Sequence, residues 1–250
     1  MKTKPRLTIA HLYPKSMNIY GDRGNVLALV RRCQWHGINV TVNEVEIGSR
    51  FDSQKYDIVF AGGGQDNSQL GVAKDLQTKK REIHQAVERE VVFLLVCGSY
   101  QLFGHYFKTH EGTKIPGIGV FDATTIASDR RKISNVVIRH SLPTLSSLKT
   151  LVGFENHSGN TFIKQESSTK PLGEVLSGFG NNGEDKTEGA VYKNCIGTYM
   201  HGSLLPKNPH FADYLISRAL ENRYKEKIRL KSLEDELEYQ AHEFVLKNRG

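Results

Sequence analysis

The N-terminal part of the chain alternates between short apolar runs and longer segments whose apolar residues recur at helical spacing. The apolar runs lie at residues 6–13, 56–61 and 91–96, an alternating run lies at residues 39–47, and the helix-spaced segments lie at residues 24–36 and 66–90. Short apolar runs predict strands, and a period near 3.6 predicts helices. Strands that are apolar on both faces are typical of a parallel sheet covered by helices on both sides. The pattern therefore predicts a β-α-β-α-β order around a buried parallel sheet.

After residue 107 the pattern changes to shorter alternating runs. They lie around residues 117–125, 132–140, 150–155, 173–179 and 190–199. Runs of this kind predict antiparallel extensions and hairpins. Helix-spaced apolar residues return at 208–224 and 232–248. We therefore expect one α/β domain over residues 1–250, with a mostly parallel central sheet flanked by helices and with C-terminal helices, about 208–250, packed on it.

Composition adds limits to this picture. The chain has 250 residues, of which 38% are hydrophobic and 24% charged, as in an ordinary globular protein. The longest apolar run is far too short to cross a bilayer, and the N-terminus lacks the apolar core of a signal peptide, so we expect a cytoplasmic protein.

The net charge of +7 comes from scattered basic residues, which gives no prediction of nucleic-acid binding. Three cysteines without a CxxC pair predict free thiols rather than disulfides or a zinc site.

One of these cysteines, Cys97, ends the fourth apolar run and is followed by Gly98 and by residues that can begin a helix. A strand–turn–helix junction of this kind is the setting of a nucleophile elbow, which holds the nucleophile above the sheet. A helix N-terminus also favours a thiolate over a thiol. The strict elbow has glycine two residues before the nucleophile, whereas Leu95 stands there. The motif alone therefore does not distinguish a nucleophile from a small hydrophobic residue that ends a core strand.

Three glycines in a row, Gly62, Gly63 and Gly64, also follow an apolar run. Their N–H groups are free to point at an oxygen, and together with the amide of Gly98 they can form an oxyanion hole. A nucleotide phosphate loop is the rival interpretation, but the sequence contains no GxxxxGK[S/T] and no properly placed GxGxxG. A tight turn without a ligand is the remaining alternative.

Ten histidines compete for the role of base, and His201 has the most suitable position. It ends an apolar run in a context flanked by glycines, Ile196-Gly-Thr-Tyr-Met-His201-Gly202. The carboxyl ends of parallel strands meet at one edge of a sheet, so this histidine should lie near Cys97. An imidazole beside a cysteine can form the thiolate and then protonate a leaving amine. We therefore predict Cys97 as nucleophile and His201 as its base.

In combination, the glycine run, the elbow of Cys97-Gly98-Ser-Tyr-Gln101 and the late His201-Gly202 resemble class I (triad) glutamine amidotransferases of the cobyric acid synthase type. Four further segments resemble the glutaminase subunits of lipid II isoglutaminyl synthase, the GatD family: Met17-Asn-Ile-Tyr20-Gly-Asp22-Arg-Gly24-Asn25, Gly153-Phe-Glu155-Asn156-His157, Gly178-Phe-Gly180-Asn181-Asn182 and His201-Gly-Ser-Leu-Leu-Pro206-Lys207-Asn208. The resemblance covers nearly the whole chain. It implies the flavodoxin-like three-layer α/β fold of class I glutamine amidotransferases.

The resemblance also implies a reaction and a partner. The Cys97 thiolate attacks the side-chain amide of glutamine, ammonia leaves, and the thioester is hydrolysed while His201 moves the protons. The partner is the Mur-ligase-like subunit MurT, which uses ATP to activate the α-carboxyl of D-glutamate in lipid II, so that ammonia converts it to D-isoglutamine. ATP and magnesium are expected on that subunit, and no cofactor or metal is expected in this chain. The missing P-loop agrees with this division of labour.

By the same resemblance, Arg131 contacts the substrate glutamine through a bidentate grip on its α-carboxylate. The adjacent Arg130 is the rival, and an exposed arginine in a charged turn is the simpler interpretation. We assign four more residues to the substrate-binding surface: Gly63, Gly64, Gly98 and Gln101.

The sequence departs from the class I pattern at the third member of the triad. The family usually has Glu two residues after the histidine, and Ser203 stands at that position. A histidine without an orienting acid would sample unproductive tautomers and rotamers. Asp22, Glu155 or a carboxylate of the partner could supply the contact, and Asp22 is preferred within this chain. If the partner supplies the acid, glutaminase activity of the isolated chain is low and rises in the complex.

Two other functions stay open. One is a glutaminase that serves another acceptor, such as cobyrinate, with its ATP-binding domain encoded separately. The other is a catalytically inactive glutaminase fold that acts as a structural or regulatory module. The presence of both Cys97 and His201 argues against the second.

Overall fold

A computed structural model describes residues 4–64, 66–143, 148–202 and 204–248, without the side chains of residues 66–68. The strands are β1 (Arg6–Leu12), β2 (Asn39–Val45), β3 (Ile58–Ala61), β4 (Val92–Val96), β5 (Tyr106–Lys108), β6 (Lys114–Pro116), β7 (Ala123–His140), β8 (Thr150–Ile163), β9 (Gly173–Ser177), β10 (Thr187–Glu188), β11 (Ala190–Tyr192) and β12 (Cys195–Thr198). The helices are α1 (Arg23–Trp35), α2 (Asp66–Glu88), α3 (Gly98–Phe103), α4 (Leu204–Lys207), α5 (Pro209–Tyr224) and α6 (Glu236–Lys247).

The first sheet has six strands in the order β11-β12-β4-β3-β1-β2, and all its pairings are parallel except that of the edge strand β11. Every residue of β3 and β4 is buried, as expected for strands covered on both faces. The unit β1-α1-β2 steps to one side of β1, whereas β3-α2-β4 steps to the other. Because such connections are right-handed, α1 and α2 cover opposite faces. The predicted three-layer α/β fold with a mostly parallel sheet is confirmed.

The topology brings the predicted site residues to one edge of this sheet. Adjacent strands β1 and β3 form the point where the strand order reverses, which is where ligands bind in open α/β sheets. The chain reaches Asp22 after β1, the glycine run after β3, Cys97 after β4 and His201 after β12. These segments therefore meet at the carboxyl ends of neighbouring strands.

The second sheet provides the antiparallel extensions. Its strands follow the order β10-β9-β7-β5-β6, and β8 pairs with β7 in a long antiparallel ribbon. The register of this ribbon shifts between Ala127 and Lys132, so the strand bulges there. Arg130 and Arg131 lie in the bulge rather than in a charged turn. Helix α6 packs on the ribbon, whereas α5 packs on β3 and β4 of the first sheet.

The structure corrects three predicted runs. Residues 117–122 form no strand, because their N–H groups donate to the last carbonyls of α3, such as Ile118 N to Leu102 O at 2.9 Å and Val120 N to Phe103 O at 2.8 Å. The run at 190–199 is two antiparallel strands, β11 and β12, rather than one. The run at 150–155 continues as β8 to Ile163. Within the described residues, no helix combines the length and apolar character needed to span a membrane.

A buried arginine joins three helical elements. Arg32 on α1 is 3% exposed and donates a pair of hydrogen bonds to Asp213 on α5, at 2.7 and 2.8 Å. It donates a second pair to Asp235, immediately before α6, at 2.6 and 2.9 Å. Two carboxylates thus share one guanidinium, which satisfies its charge away from water.

Replacing Arg32 by methionine should lower the free energy of unfolding by about 3 kcal/mol, because Asp213 and Asp235 lose the charge that offsets their desolvation. Urea unfolding measures the effect. The matched control is R31A, since Arg31 lies one residue earlier on α1 and is exposed; it should change stability by no more than about 0.5 kcal/mol. Equal changes in the free energy of unfolding for the two variants would contradict a stabilising role of the Arg32 ion pairs.

Candidate active site

Cys97 occupies the tight turn between β4 and α3. Its backbone has φ 50° and ψ −106°, a conformation that a residue with a side chain adopts at a cost. The N–H of Cys97 donates to the carbonyl of Thr198 on β12 at 2.8 Å, and Gln101 N donates to the carbonyl of Cys97 at 3.0 Å. The side chain is 6% exposed. The predicted strand–turn–helix elbow is therefore present, with the thiol at the carboxyl end of the sheet.

His201 and Cys97 converge above Gly63. A Cβ placed on Gly63 would lie 2.7 Å from His201 Cε1 and 3.3 Å from Cys97 Cβ, so a side chain at this position would displace the imidazole. The imidazole is fully buried, and its backbone N–H donates to the carbonyl of Phe154 at 2.7 Å. Its Nδ1 faces Asp22, and its Nε2 makes no hydrogen bond of good geometry among the described residues. Nε2 is thus the nitrogen available to the thiol.

Asp22 connects the parts of this site. Its Oδ2 accepts the N–H of Gly63 at 2.7 Å, and its Oδ1 accepts the N–H of Gly202 at 2.9 Å. The same carboxylate lies 3.3 and 3.4 Å from Nδ1 of His201. It is completely buried. Its position is that of the acid that orients a catalytic histidine.

The charges around His201 favour the imidazolium. Burial by itself lowers the pKa of an imidazole, but the negative charges of Cys97 and Asp22 outweigh it and raise the pKa of His201 to about 10. His201 is thus stabilised as a cation beside the sulfur of Cys97.

Glu155, the other candidate acid within the chain, has different partners. Its carboxylate accepts the N–H groups of Phe179 and Gly180 at 2.7 and 3.0 Å and lies 3.2 Å from His157 Nε2. Burial raises the pKa of Glu155 to about 7. Glu155 therefore fastens the turn after β9 instead of orienting His201. Ser203, which stands where the family acid is expected, lies outside the described residues.

The three glycines after β3 differ in whether their N–H groups are free to donate, unlike in the prediction. The N–H of Gly63 is taken by Asp22, so it is not a free oxyanion donor, and this part of the prediction is corrected. The N–H groups of Gly64 and Gly98 donate no hydrogen bond within the part of the chain that the structure describes. The hydroxyl of Ser99 donates to the carbonyl of Gly62 at 2.6 Å and holds the loop against α3. Gly64 and Gly98 are thus the available pair of donors.

A cavity of about 670 Å³ opens beside Cys97. Its wall includes the cysteine, Gly64, Gln101 and Arg131. Gln101 is 4% exposed; its Nε2 donates to the hydroxyl of Tyr199 at 3.2 Å, and its Oε1 has no partner among the described residues. A buried amide oxygen without a partner is available to a donor group of a ligand.

The structure distinguishes the two neighbouring arginines. Arg131 lines the cavity, where its Nε donates to Asn156 Oδ1 at 2.5 Å and its Nη2 to the hydroxyl of Tyr20 at 3.2 Å. Arg130 turns away, with its guanidinium 5.1 Å from the centre of the Phe179 ring. Arg131 is therefore the arginine that can reach a ligand in the cavity.

Several wall residues carried no role in the sequence prediction. Gln69 on α2 donates to the carbonyl of Gly64 at 3.2 Å, and its Oε1 lacks a partner among the described residues. His157 stacks on the ring of Tyr199 with centroids 3.6 Å apart, and burial lowers the pKa of His157 to about 3. Tyr20 and Asn156 belong to the segments that carry the family resemblance. Their contacts with Arg131 join residues far apart in sequence, so no local sequence pattern predicts them.

Comparisons with known proteins show the family of this chain. Residues 8–209 match the CobB/CobQ-like glutamine amidotransferase domain. The lipid II isoglutaminyl synthase (glutamine-hydrolyzing) subunit GatD of Streptococcus pneumoniae is 40% identical over 239 residues, which cover 95% of this chain and 90% of that protein. The subunit of the same name from Staphylococcus aureus is 38% identical, covering 96% of this chain and 95% of that one.

Solved structures show the same fold at low identity. A glutamine amidotransferase of Thermotoga maritima aligns with a TM-score of 0.54 at 13% identity, covering 96% of this chain and 92% of that chain. The glutaminase domain of Trypanosoma brucei CTPS aligns with a TM-score of 0.55 at 11% identity, covering 90% and 96%. The likeness extends over both sheets of the chain and concerns the fold alone.

If Cys97 and Asp22 together raise the pKa of His201, each of the variants C97A and D22N should lower it. The reason is that both substitutions remove a negative charge that stabilises the imidazolium. Titration of the histidine ring signals by NMR measures the shift, and His157 serves as an internal control because it should stay neutral at and above pH 5 in every variant. An unchanged His201 titration in both variants would rule out the charge pairing.

Proposed function

This chain belongs to the CobB/CobQ-like glutamine amidotransferase family, and we propose that it is the glutaminase subunit of a lipid II isoglutaminyl synthase. Glutamine amidotransferases are enzymes that hydrolyse glutamine. The single observation that carries the assignment of the reaction is the convergence of Cys97, His201 and Asp22 at the end of the parallel sheet, beside a cavity lined by Arg131.

In the proposed reaction the Cys97 thiolate attacks the carboxamide carbon of glutamine. The His201 imidazolium donates its Nε2 proton to the leaving nitrogen, so that ammonia departs and a γ-glutamyl thioester stays on Cys97. Neutral His201 then takes a proton from water, which attacks the thioester and releases glutamate. Regeneration of the thiolate–imidazolium pair completes the cycle.

The oxyanion of both tetrahedral intermediates is assigned to the N–H groups of Gly64 and Gly98. Neither donates elsewhere among the described residues, and each adjoins the turn that carries Cys97 or the loop beside it. The guanidinium of Arg131 binds the α-carboxylate of glutamine, and the free Oε1 of Gln101 accepts a hydrogen bond from its α-ammonium. The two ends of the substrate are then held while its carboxamide lies at the thiolate.

Asp22 is proposed as the third member of the triad. The bonds from Gly63 and Gly202 fix its carboxylate, and its contact with Nδ1 keeps the Nε2 of His201 directed at Cys97. On this proposal the catalytic set is complete within the chain, and the isolated subunit hydrolyses glutamine. A carboxylate from the partner is the alternative, under which hydrolysis requires the complex.

The ammonia is proposed to pass to a Mur-ligase-like partner, MurT, in a heterodimer. That subunit uses ATP and magnesium to activate the α-carboxyl of D-glutamate in lipid II, and ammonia converts it to D-isoglutamine in peptidoglycan synthesis. Two relatives that align over nearly their full length support this acceptor, because each is described as a subunit of lipid II isoglutaminyl synthase. A cobyrinate acceptor has weaker support. A probable cobyric acid synthase of Methanopyrus kandleri is 33% identical, but the match covers 48% of this chain and 25% of that protein.

The test is ammonia release from glutamine by the wild-type protein and by C97A, each alone and with the Mur-ligase-like partner. Loss of the nucleophile should reduce the rate by at least about a thousandfold. Lipid II amidation by the wild-type pair, followed by mass spectrometry, tests the acceptor.

The outcomes separate the alternatives. Equal rates for wild type and C97A would mean an inactive glutaminase fold. Hydrolysis only in the complex would transfer the role of Asp22 to the partner. Glutamine-dependent amidation of cobyrinate but not of lipid II would replace the proposed acceptor.

Arg131 and Arg130 form a matched pair for the substrate assignment. R131A should raise the KM for glutamine about tenfold or more, because a charge-assisted contact with the α-carboxylate is lost. R130A should leave KM within about twofold, since the Arg130 guanidinium packs over the Phe179 ring and does not line the cavity. Steady-state kinetics compare the variants, and a larger effect of R130A would reverse the assignment.

A further inference from the structure

We propose that Tyr20 is a positioning residue that links glutamine binding at Arg131 to closure of the site over His201. The inference rests on the proposed glutaminase function. It assigns two roles to one side chain: its hydroxyl orients the substrate carboxylate together with Arg131, and its ring covers the catalytic imidazole.

The ring contact is direct. Tyr20 lies in the connection between β1 and α1, and its ring meets the His201 ring edge-on, with centroids 4.9 Å apart and an interplanar angle of 68°. A second edge-on contact joins it to Phe154 at 6.4 Å. Tyr20 lines the cavity and is 46% exposed, whereas His201, directly behind its ring, is 0% exposed. The tyrosine ring is therefore part of what separates the imidazole from water.

The hydroxyl contact supplies the link to the substrate. Arg131 Nη2 donates to the Tyr20 hydroxyl at 3.2 Å, while Nε of the same guanidinium is held by Asn156. A tyrosine hydroxyl that accepts one hydrogen bond still has its own O–H to donate. A carboxylate that arrives at Arg131 offers the acceptor for this proton. Arg131 and Tyr20 can therefore grip the same carboxylate from two sides.

The backbone of Tyr20 is fixed, which leaves the ring as the part that responds. Tyr20 has φ 51° and Gly21 has φ 77°, and the two residues form a tight left-handed turn. A Cβ on Gly202 would lie 1.8 Å from the Tyr20 carbonyl oxygen, so the turn rests directly on the residue after His201. The preceding residue, Ile19, donates its N–H to the carbonyl of Gly63 at 3.3 Å. The turn is thus held between the loop of Gly63 and the segment of Gly202, the same two segments whose N–H groups Asp22 accepts.

These contacts make Tyr20 responsive to the substrate. Before glutamine binds, the Tyr20 hydroxyl has Arg131 as its partner. When the carboxylate binds, both groups turn toward it, and the ring stays over His201 during the reaction. A ligand without an α-carboxylate cannot accept a hydrogen bond from the Tyr20 hydroxyl. Tyr20 therefore favours closure of the site when glutamine is bound.

Two substitutions separate the hydroxyl from the ring. Y20F keeps the ring and loses the hydroxyl, so it should raise the KM for glutamine about fivefold with kcat within about twofold. Y20A removes both, so kcat should also fall, by about tenfold or more, because water reaches the imidazole. Y106F is the matched control: Tyr106 on β5 does not line the cavity, and kinetics should match wild type. Equal kcat values for Y20A and Y20F would overturn the role of the ring.

A binding cycle tests the link to Arg131 without turnover. Glutamine affinity is measured by calorimetry in the C97A background, with and without Y20F and R131A. Y20F should weaken binding about fivefold when Arg131 is present and by less than twofold when it is absent. Independent, additive effects would overturn the coupling. This cycle measures binding alone, so it tests the coupling of Tyr20 to Arg131 separately from catalysis. Ammonia release that is independent of Cys97 would overturn the proposed function instead.

Discussion

The buried carboxylate of Asp22 fixes the relative positions of three segments that are far apart in sequence. It accepts hydrogen bonds from Gly63, in the loop after β3, and from Gly202, after β12, and it contacts the imidazole of His201. A buried carboxylate is costly unless such donors surround it. The same requirement that satisfies Asp22 therefore holds the glycine loop against the histidine, and the space above Gly63 is where Cys97 and His201 meet.

Two sheets contribute different functions to the cavity. The parallel sheet supplies the thiol, the imidazole and the glycine donors at the ends of its strands, as open α/β sheets generally do. The antiparallel ribbon of β7 and β8 supplies Arg131 from a bulge and Asn156 that holds it. A bulge can redirect a side chain that a regular strand would place on one face or the other. Under the proposed function, the chemistry comes from the first sheet, and recognition of the α-carboxylate of glutamine comes from the second.

The loop between β1 and α1 closes this arrangement. Its residues Ile19 and Tyr20 contact the glycine loop, the imidazole and Arg131. The loop therefore connects parts of both sheets, and it ends at Asp22, whose carboxylate accepts hydrogen bonds from Gly63 and Gly202. A segment clamped at both ends leaves motion to its side chains, which suits a cover that must open for each substrate.

The sequence by itself determined the parallel sheet, the elbow at Cys97 and the choice of His201, because apolar runs and the residues that end them are local signals. It also singled out Asp22 and Arg131, but with rivals, since nothing local separates Asp22 from Glu155 or Arg131 from Arg130. Contacts that only the tertiary structure shows distinguish these candidates: Glu155 accepts hydrogen bonds from the turn after β9, Arg130 lies against Phe179, and Asp22 accepts the N–H of Gly63. Strand patterns at residues 117–122 and 190–199 also depended on the folded chain, because hydrogen bonds to α3 and the pairing of β11 with β12 join segments that the sequence pattern treats separately. Partner choice among buried polar groups is a matter of three-dimensional distance, and sequence spacing does not encode it.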